Sequence, residues 1–408
     1  MEPAEAQKLH DQRRTDPAAQ WGLLLLLVAM TAIGPTSLNI LVPAIPQLAR
    51  NLSADVATLQ LTVSLFLVGL ATAQLVMGPL SDRWGRRPVL LAGMALTALA
   101  SLLAIVMSTV ESLIVARVLQ AVGASTGIVV GRAIIRDLFD RSRAASMLGL
   151  VATVMVVVPT FGPLIGGVLD TAFGWQAIFV FTALASVAVL AWIALTLPET
   201  RDLNLPSDAS AGFWRDLKQL AGNASFAGYV LAGAFGSATF FAFLGGGPHV
   251  VITLMGRSSA EYGIWFAISS LGYMAGNFAA SRLSLQHGID KLIWWGIGIE
   301  AVGAAIATAL APFAHLGPVI VFAPQMIISL GNGLLLPGAI SGAVSVRPQA
   351  AGTAAGITGC TQMAIGAAVT QYAGTLFDDA SSPMPMAVLM VVLVCCCALA
   401  FGLLVRRR

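Results

Sequence analysis

The sequence predicts an all-α membrane protein with twelve transmembrane helices in two six-helix, pseudo-symmetric halves. Three observations carry that expectation. The 408 residues are 57% hydrophobic and 10% charged, too little polar side chain to clothe a water-soluble globule. Apolar runs of about 20 residues, the length that crosses a hydrocarbon core of roughly 30 Å, recur along nearly the whole chain. Once those runs are counted as spans, the basic residues sort to one side of the membrane.

The expected spans are 21–44, 58–80, 88–109, 112–135, 145–169, 175–197, 225–250, 260–283, 291–312, 318–340, 350–373 and 385–405. Segment 1–20 is polar and reads as a cytoplasmic tail. The run after it is longer than a signal h-region and lacks a clear small-residue cleavage site, so it is expected to remain as the first span. With the N-terminus inside, cytoplasmic segments hold eighteen of the 22 lysines and arginines, among them Arg83, Arg86, Arg87, Arg136, Arg141 and Arg143. Outer loops hold Arg50 and Arg257, while Arg117 and Arg132 fall within the fourth span. Both termini are therefore expected in the cytoplasm. The polar stretch 198–224 reads as a cytoplasmic linker between an N-terminal half, 21–197, and a C-terminal half, 225–408. The loop SLQHGIDKLI from Ser284 aligns with SDRWGRRPVL from Ser81, keeping Ser and Gly and losing Asp82. An echo six spans apart suggests parallel repeats about an axis along the membrane normal.

The net charge of +3 reflects membrane topology and points to no nucleic acid. The four cysteines lie in apolar spans without metal-ligand spacing, and none of the four histidines has such spacing either, so neither metal nor cofactor is expected. GASTG, Gly123 to Gly127, matches Gly-x-Ser-x-Gly, but a nucleophile elbow needs a strand–turn–helix and a positioned His, and this copy lies mid-span. The sequence also lacks HExxH and a phosphate-binding P-loop, so no enzyme chemistry is expected.

Charge concentrates in the turn GPLSDRWGRRP, Gly78 to Pro88, between spans 2 and 3. Anchoring on the inner side accounts for Arg83, Arg86 and Arg87 and leaves Asp82, Gly78 and Gly85 unexplained. The stretch closely resembles the signature loop of the major facilitator superfamily, Gly-x-Leu-x-Asp-Arg-x-Gly-Arg-Arg. LIVARVLQAVGAS, Leu113 to Ser125, is similar to that family's span-4 motif with its embedded arginine, here Arg117, followed by Gln120 and Gly123. GPLIGG, Gly162 to Gly167, after Pro159, resembles the span-5 motif of drug:proton antiporters, with Val158 where the fuller pattern has another glycine. VPAIPQLA, RAIIRDLF, LPET and GGGPHVV look most like the bacterial Bcr/CflA drug-resistance branch. Span 1 of that branch commonly carries an Asp shortly before its Leu-Pro-Ala-x-Pro run. Asn39 holds the corresponding position here.

The resemblance implies proton-coupled efflux of small amphipathic drugs across the bacterial inner membrane by alternating access. The proton gradient is then the energy source, no cofactor is needed, the bilayer and protons are the partners beside the drug, and a monomer suffices. A metabolite exporter or facilitator on the same scaffold is the alternative, and a membrane receptor or intramembrane enzyme the non-transport one. The family pattern implies that Asp82 pairs with Arg86, which also reaches Asp137 at the inner end of span 4, in a gating network with Gly78 and Gly85. Arg117 lies roughly 8 Å below the outer end of span 4, where a guanidinium either faces the interior or snorkels outward. Glu300 lies near mid-membrane, as a proton carrier or a neutral packing residue. Because Asn39 does not titrate, coupling is expected at Glu300, at Asp82 or Asp137, or nowhere. Phe240 and Phe241 with Asn39, Gln120, Asn332 and Gln362 are the candidate cavity residues. Pro159, Gly162, Pro163, Gly166 and Gly167 are expected to bend span 5 or to let it pack closely.

Overall fold

The computed structural model describes residues 17–139, 141–201, 217–220, 222–377 and 382–405; side chains of 17–20 and of much of 141–159 lie outside the described set, as does most of the expected linker. Twelve long helices are described: α1 Pro17–Asn39, α2 Val56–Trp84, α3 Arg86–Val106, α4 Val110–Leu138, α5 Arg141–Phe173, α6 Gln176–Thr196, α7 Ala224–Pro248, α8 Ser259–His287, α9 Ile289–Leu310, α10 Val319–Val346, α11 Ala351–Thr375 and α12 Met384–Leu404. Side chains that the sequence places at the right offset start several of them. Asp55, Thr109, Asn223 and Ser258 each accept a hydrogen bond from the backbone three residues on, satisfying a donor that the first turn leaves free.

At two helix ends the structure adds a separate element that the hydropathy reading did not divide off, and a proline stands at each. α1 stops at Asn39, and a 3₁₀ turn, Val42–Ala44, leads into a short helix, Ile45–Asn51. Pro43 and Pro46 lack N–H groups and each sits at the start of its element, where no donor is needed. α7 ends at Pro248 and widens into a π-helical segment, His249–Leu254.

The packing repeats after six helices. In the N-terminal half α4 packs on α1, α2 and α3, α1 on α5, and α3 on α6; α10 packs likewise on α7, α8 and α9, α7 on α11, and α9 on α12. Two long-helix contacts join the halves, α5 with α8 and α2 with α11, and the same six-helix shift exchanges them; the Val42–Ala44 turn also packs on α7 and α8. Nine helical stretches among the described residues are long and apolar enough to cross a membrane. Two long helices outside that set, α8 and α11, lie where the halves meet. A helix facing protein or water on one side tolerates the Gly, Ser, Thr and Gln that dilute α8 and α11.

The halves meet at one end of the helices. Gly374 of α11 abuts Gln60 and Ala57 near the start of α2, and Gly167 near the end of α5 abuts Ser259 and Ala260 at the start of α8. Toward the opposite end, which carries Arg86, they part. Leu75 and Val76 of α2 are 53% and 58% exposed, and a Cβ on Gly352, Gly356 or Gly359 of α11 would meet nothing within 4 Å among the described residues.

Candidate functional site

Gly85 alone joins α2 to α3, with φ of +98°, a region costly for any residue with a Cβ. Arg86 follows it and is 4% exposed. Its Nη1 lies 2.6 Å from Asp82 Oδ1 and donates to Ser81 Oγ at 2.8 Å, while Nε donates to Asp137 Oδ2 at 2.9 Å. Glu199, in the LPET stretch after α6, accepts from the backbone N–H groups of Arg86 at 2.8 Å and Arg87 at 3.1 Å. It thereby places a carboxylate on the positive end of α3. The side-chain partners of Arg86 all belong to the N-terminal half, so in this state the turn braces one half. A Cβ at Gly78 would meet Val129 at an ordinary 3.6 Å, so no packing demand for glycine exists there.

Gly288 repeats the geometry of Gly85 between α8 and α9, with φ of +77°. The ionic network is not repeated. Leu285 stands where Asp82 stands and is 93% exposed, and Asp290 instead accepts from Tyr229 Oη at 2.7 Å.

Arg117 is buried, so it does not snorkel. Nη1 donates to the Ser37 carbonyl at 2.8 Å and to Gln120 Oε1, Nε to the Thr62 carbonyl at 3.3 Å, and the guanidinium lies 4.2 Å from the centre of the Phe66 ring. Nη2 has no hydrogen-bond partner among the described residues. Dipoles and an aromatic face, rather than a carboxylate, solvate this cation. Gln120 is buried too and donates to Ser101 Oγ at 2.8 Å. Asn39 turns its Nδ2 back to the Pro35 carbonyl at 2.8 Å and leaves Oδ1 buried without a partner. The structure thus places Asn39 and Gln120 inside the packing of the N-terminal half, behind any open wall.

The GPLIGG stretch lies within an uninterrupted α5 and works through two faces. A Cβ at Gly162 would stand 2.8 Å from that of Asn39, and one at Gly166 would collide with the Ile40 carbonyl, so these two glycines admit α1. A Cβ at Gly167 would collide with the Ser259 carbonyl, and one at Gly263 of α8 would stand 2.5 Å from the Pro163 carbonyl, so Gly167 and Gly263 let the two halves approach. The side chain of Pro159 lies outside the described residues. Polar bonds flank this seam: Gln60 Nε2 donates to the Gly245 carbonyl at 2.7 Å, Ser64 Oγ to Gln371 Oε1 at 2.8 Å, and Gln371 Nε2 to the Ala57 carbonyl at 2.8 Å.

In the C-terminal half Phe240 is half-buried, its ring 5.5 Å from that of Phe241 and 6.1 Å from that of Phe266. Phe241 packs on Gly366 of α11. Gln362 lies against Gly233 of α7 and is partly exposed. Asn332 is buried and donates to Thr239 Oγ1 at 2.9 Å, which sets it inside the half instead of on a wall. Glu300 is fully buried, with Oε1 3.7 Å from the Cβ position of Gly236 and Cγ against Gly331. Although α9 is an outer helix, this side chain points inward, toward α7 and α10. Neither carboxyl oxygen has a hydrogen-bond partner among the described residues.

Residues 26–371 match the family model of the Major Facilitator Superfamily. The chain belongs to that superfamily. It is 32% identical over 340 residues to multidrug resistance protein D of Escherichia coli, covering 83% of this chain and 85% of that one. It is 29% identical over 379 residues to a chloramphenicol resistance protein of Pseudomonas aeruginosa, covering 92% and 88%. The crystal structure of a bacterial homologue of the human lysosomal transporter Spinster, inward-facing and unoccupied, superposes with a TM-score of 0.75 at 16% identity over 96% of this chain and 98% of that one. The resemblance to drug-resistance members of the superfamily, read from the motifs, therefore holds along nearly the whole length.

On this major-facilitator frame the motif residues Asp82, Arg86 and Asp137 come together, and Arg117 meets Gln120. Asn39, Glu300, Asn332 and Gln362 stay in separate places. Sequence reading missed Glu199, whose LPET stretch was seen without a role, and Asp170, Gln47 and Ser259 at the seam.

Proposed function

We propose that the chain is a proton-coupled exporter of small amphipathic drugs in the bacterial inner membrane, working as a monomer by alternating access of its halves, 21–197 and 225–408. The seam carries the reading: two packed halves meet at one end and part at the other, the arrangement that a rocking carrier adopts in one of its two states. Because basic residues favour the cytoplasmic side, the Arg86 end and both termini lie in the cytoplasm, and this state is open to it. Export then requires the Gly167 seam to separate while the Arg86 end closes. Asp82, Arg86 and Asp137, with Gly78 and Gly85, keep the N-terminal half rigid through that motion and meet the other half when the end closes.

The names of the relatives support a drug as cargo, and the paired Phe240 and Phe241 near Gln362 support an amphipathic one. Asn39 cannot exchange a proton, so the proposal gives that task to Glu300, whose carboxyl lacks any bond that would fix it in one protonation state. Arg117 supplies a fixed interior charge. The Ser125 hydroxyl of GASTG donates to the Val122 carbonyl at 2.7 Å inside a helix, which supports transport over catalysis, and the proton gradient stands in for any cofactor.

The test is uptake into proteoliposomes under an imposed pH gradient with neutral, cationic and anionic amphipathic drugs. Accumulation that a protonophore abolishes is the expected result. Flux that ignores the gradient would make the protein a facilitator, the alternative that Asn39 favours, and no flux of any solute would leave a receptor.

A further inference from the structure

Among the described residues, one buried acid stands in the seam. Asp170, near the end of α5, is 2% exposed and stands between the halves. Its Oδ2 lies 2.6 Å from Ser259 Oγ at the start of α8, and that hydroxyl is also 3.1 Å from the Pro43 carbonyl. From the short helix after α1, the Gln47 amide stands 3.1 Å from Oδ1 and 3.0 Å from Oδ2. One residue along, the Ala260 N–H donates to Thr171 Oγ1 at 3.0 Å. No ion pair within 4 Å neutralises Asp170 among the described residues. The charged groups on elements around it are Arg50 of the short helix, which is exposed, and Arg257 and Glu261, which face each other at 3.8 Å at the head of α8. The Val42–Ala44 turn contributes none.

We propose that Asp170, with Gln47 and Ser259, is a proton-binding site that locks the seam. Both partners serve either form of the acid. A hydroxyl donates or accepts, and an amide turned by 180° presents NH₂ to a carboxylate or oxygen to a carboxylic acid. When Asp170 is protonated, its O–H donates to Ser259 or Gln47, the Ser259 hydroxyl is free for Pro43, and the buried interface contains no uncompensated charge. When the proton leaves for the water outside, the carboxylate is buried between halves with only neutral donors, and parting the halves hydrates it. Rocking therefore changes the surroundings of this acid directly, since Ser259 belongs to one half and Asp170 to the other. A ligand shifts a two-state equilibrium only by its differential affinity for the two states, and here that ligand is the proton. Acid outside favours the closed seam; loss of the proton favours the open one.

The proposal rests on the alternating-access reading, and its test needs no drug. Spin labels at Glu111→Cys and Tyr372→Cys, exposed positions at the seam end of opposite halves, report the spacing in proteoliposomes by electron–electron resonance. Between about pH 5 and about pH 8 the unmodified site should shift from short to long spacing, with the population ratio changing by up to about tenfold per pH unit where the single proton is in play. Asp170→Asn, which keeps a neutral donor and acceptor in place, should hold the short spacing across that range. Ser259→Ala, which leaves the acid titratable, should retain a pH response displaced toward the long spacing. A wild-type spacing that ignores pH, or an Asp170→Asn protein that retains the wild-type response, overturns the proposal. Absence of drug flux alongside an Asp170-dependent pH response would count against the exporter reading alone.

Discussion

Gly167 offers the most direct way to move the seam. Replacing it with Ala adds one methyl carbon facing Ser259 C at 2.8 Å and Ala260 Cα at 3.1 Å, and closer still to the Ser259 carbonyl oxygen. Comfortable carbon contacts lie at about 3.5–4.0 Å, so α5 and α8 must separate by roughly 1 Å, and the obstacle is backbone, which cannot swing aside. Overpacking of this kind costs about 1–3 kcal/mol. Only the state with a closed seam bears that cost, because the methyl reaches water once the halves part. It therefore appears as a population shift of roughly 5–150-fold toward the state open at this end. Gly352→Ala is the internal control, since its new methyl enters open space near the other end of the halves. The spacing between labels at Glu111→Cys and Tyr372→Cys reads both variants. Long spacing should dominate in Gly167→Ala and stay at the wild-type level in Gly352→Ala. Indistinguishable distributions in the two would refute the argument that close backbone approach at Gly167 holds the seam.

Arg86→Ala leaves Asp82 and Asp137 facing each other without their cation and should cost about 3–5 kcal/mol, read as loss of folded protein in a detergent heat-challenge assay. Asp82→Asn, at a carboxylate that is itself partly exposed and with Asp137 still facing the arginine, should cost about 1 kcal/mol and keep expression while lowering flux; equal damage from both variants would remove the idea of a shared arginine. Glu300→Gln should bind drug but lose pH-driven accumulation, and rescue by Asn39→Asp would show that the coupling site has moved; unchanged accumulation rules Glu300 out. Asp55 sits outside the spans, and hydrogen bonds from the Thr58 hydroxyl at 2.7 Å and the Thr58 N–H at 2.8 Å hold its carboxyl below the usual range. Because the folded value is depressed, the cap's contribution is present at neutral pH and is lost as pH falls through that value. Asp55→Ala should lower stability by about 1 kcal/mol at neutral pH and by less in acid, which unfolding at the two pH values checks.

The helices were legible because lipid imposes one requirement on every span, and length with hydropathy reports it. Their ends were less so: α1 gives way at Asn39 because Pro43 and Pro46 favour new starts, a local rule that a hydropathy window averages away. The Asp82–Arg86 pair was legible through the family signature, since Gly85 breaks the helix between the two residues and their spacing alone would not place them together. Glu199 was hidden, since it reaches Arg86 across 113 residues, and a capping carboxylate so distant leaves no spacing to recognise. Arg117 could be assigned a depth but not partners, because backbone carbonyls such as those of Ser37 and Thr62 have no sequence signature. The GPLIGG motif announced close packing. Which glycine faced which half depended on the rotation of α5, and that emerges only from the assembled bundle.

The repeat makes the seam contacts α2 with α11 and α8 with α5 equivalent in topology, yet their chemistry differs. Gln60, Ser64 and Gln371 hold the first with neutral bonds that break and re-form with water at nearly no net cost. The second adds backbone-close glycine contacts and the carboxyl of Asp170, whose burial depends on a proton. At the other end the asymmetry runs between the loops: Arg86 is tied to two carboxylates within its own half, while the corresponding turn at Gly288 carries the neutral Tyr229 bond to Asp290. Among the described residues the buried acid at this end sits on only one of the two equivalent contacts, so a proton taken up there tightens α5 on α8 and leaves the neutral bonds between α2 and α11 as they are.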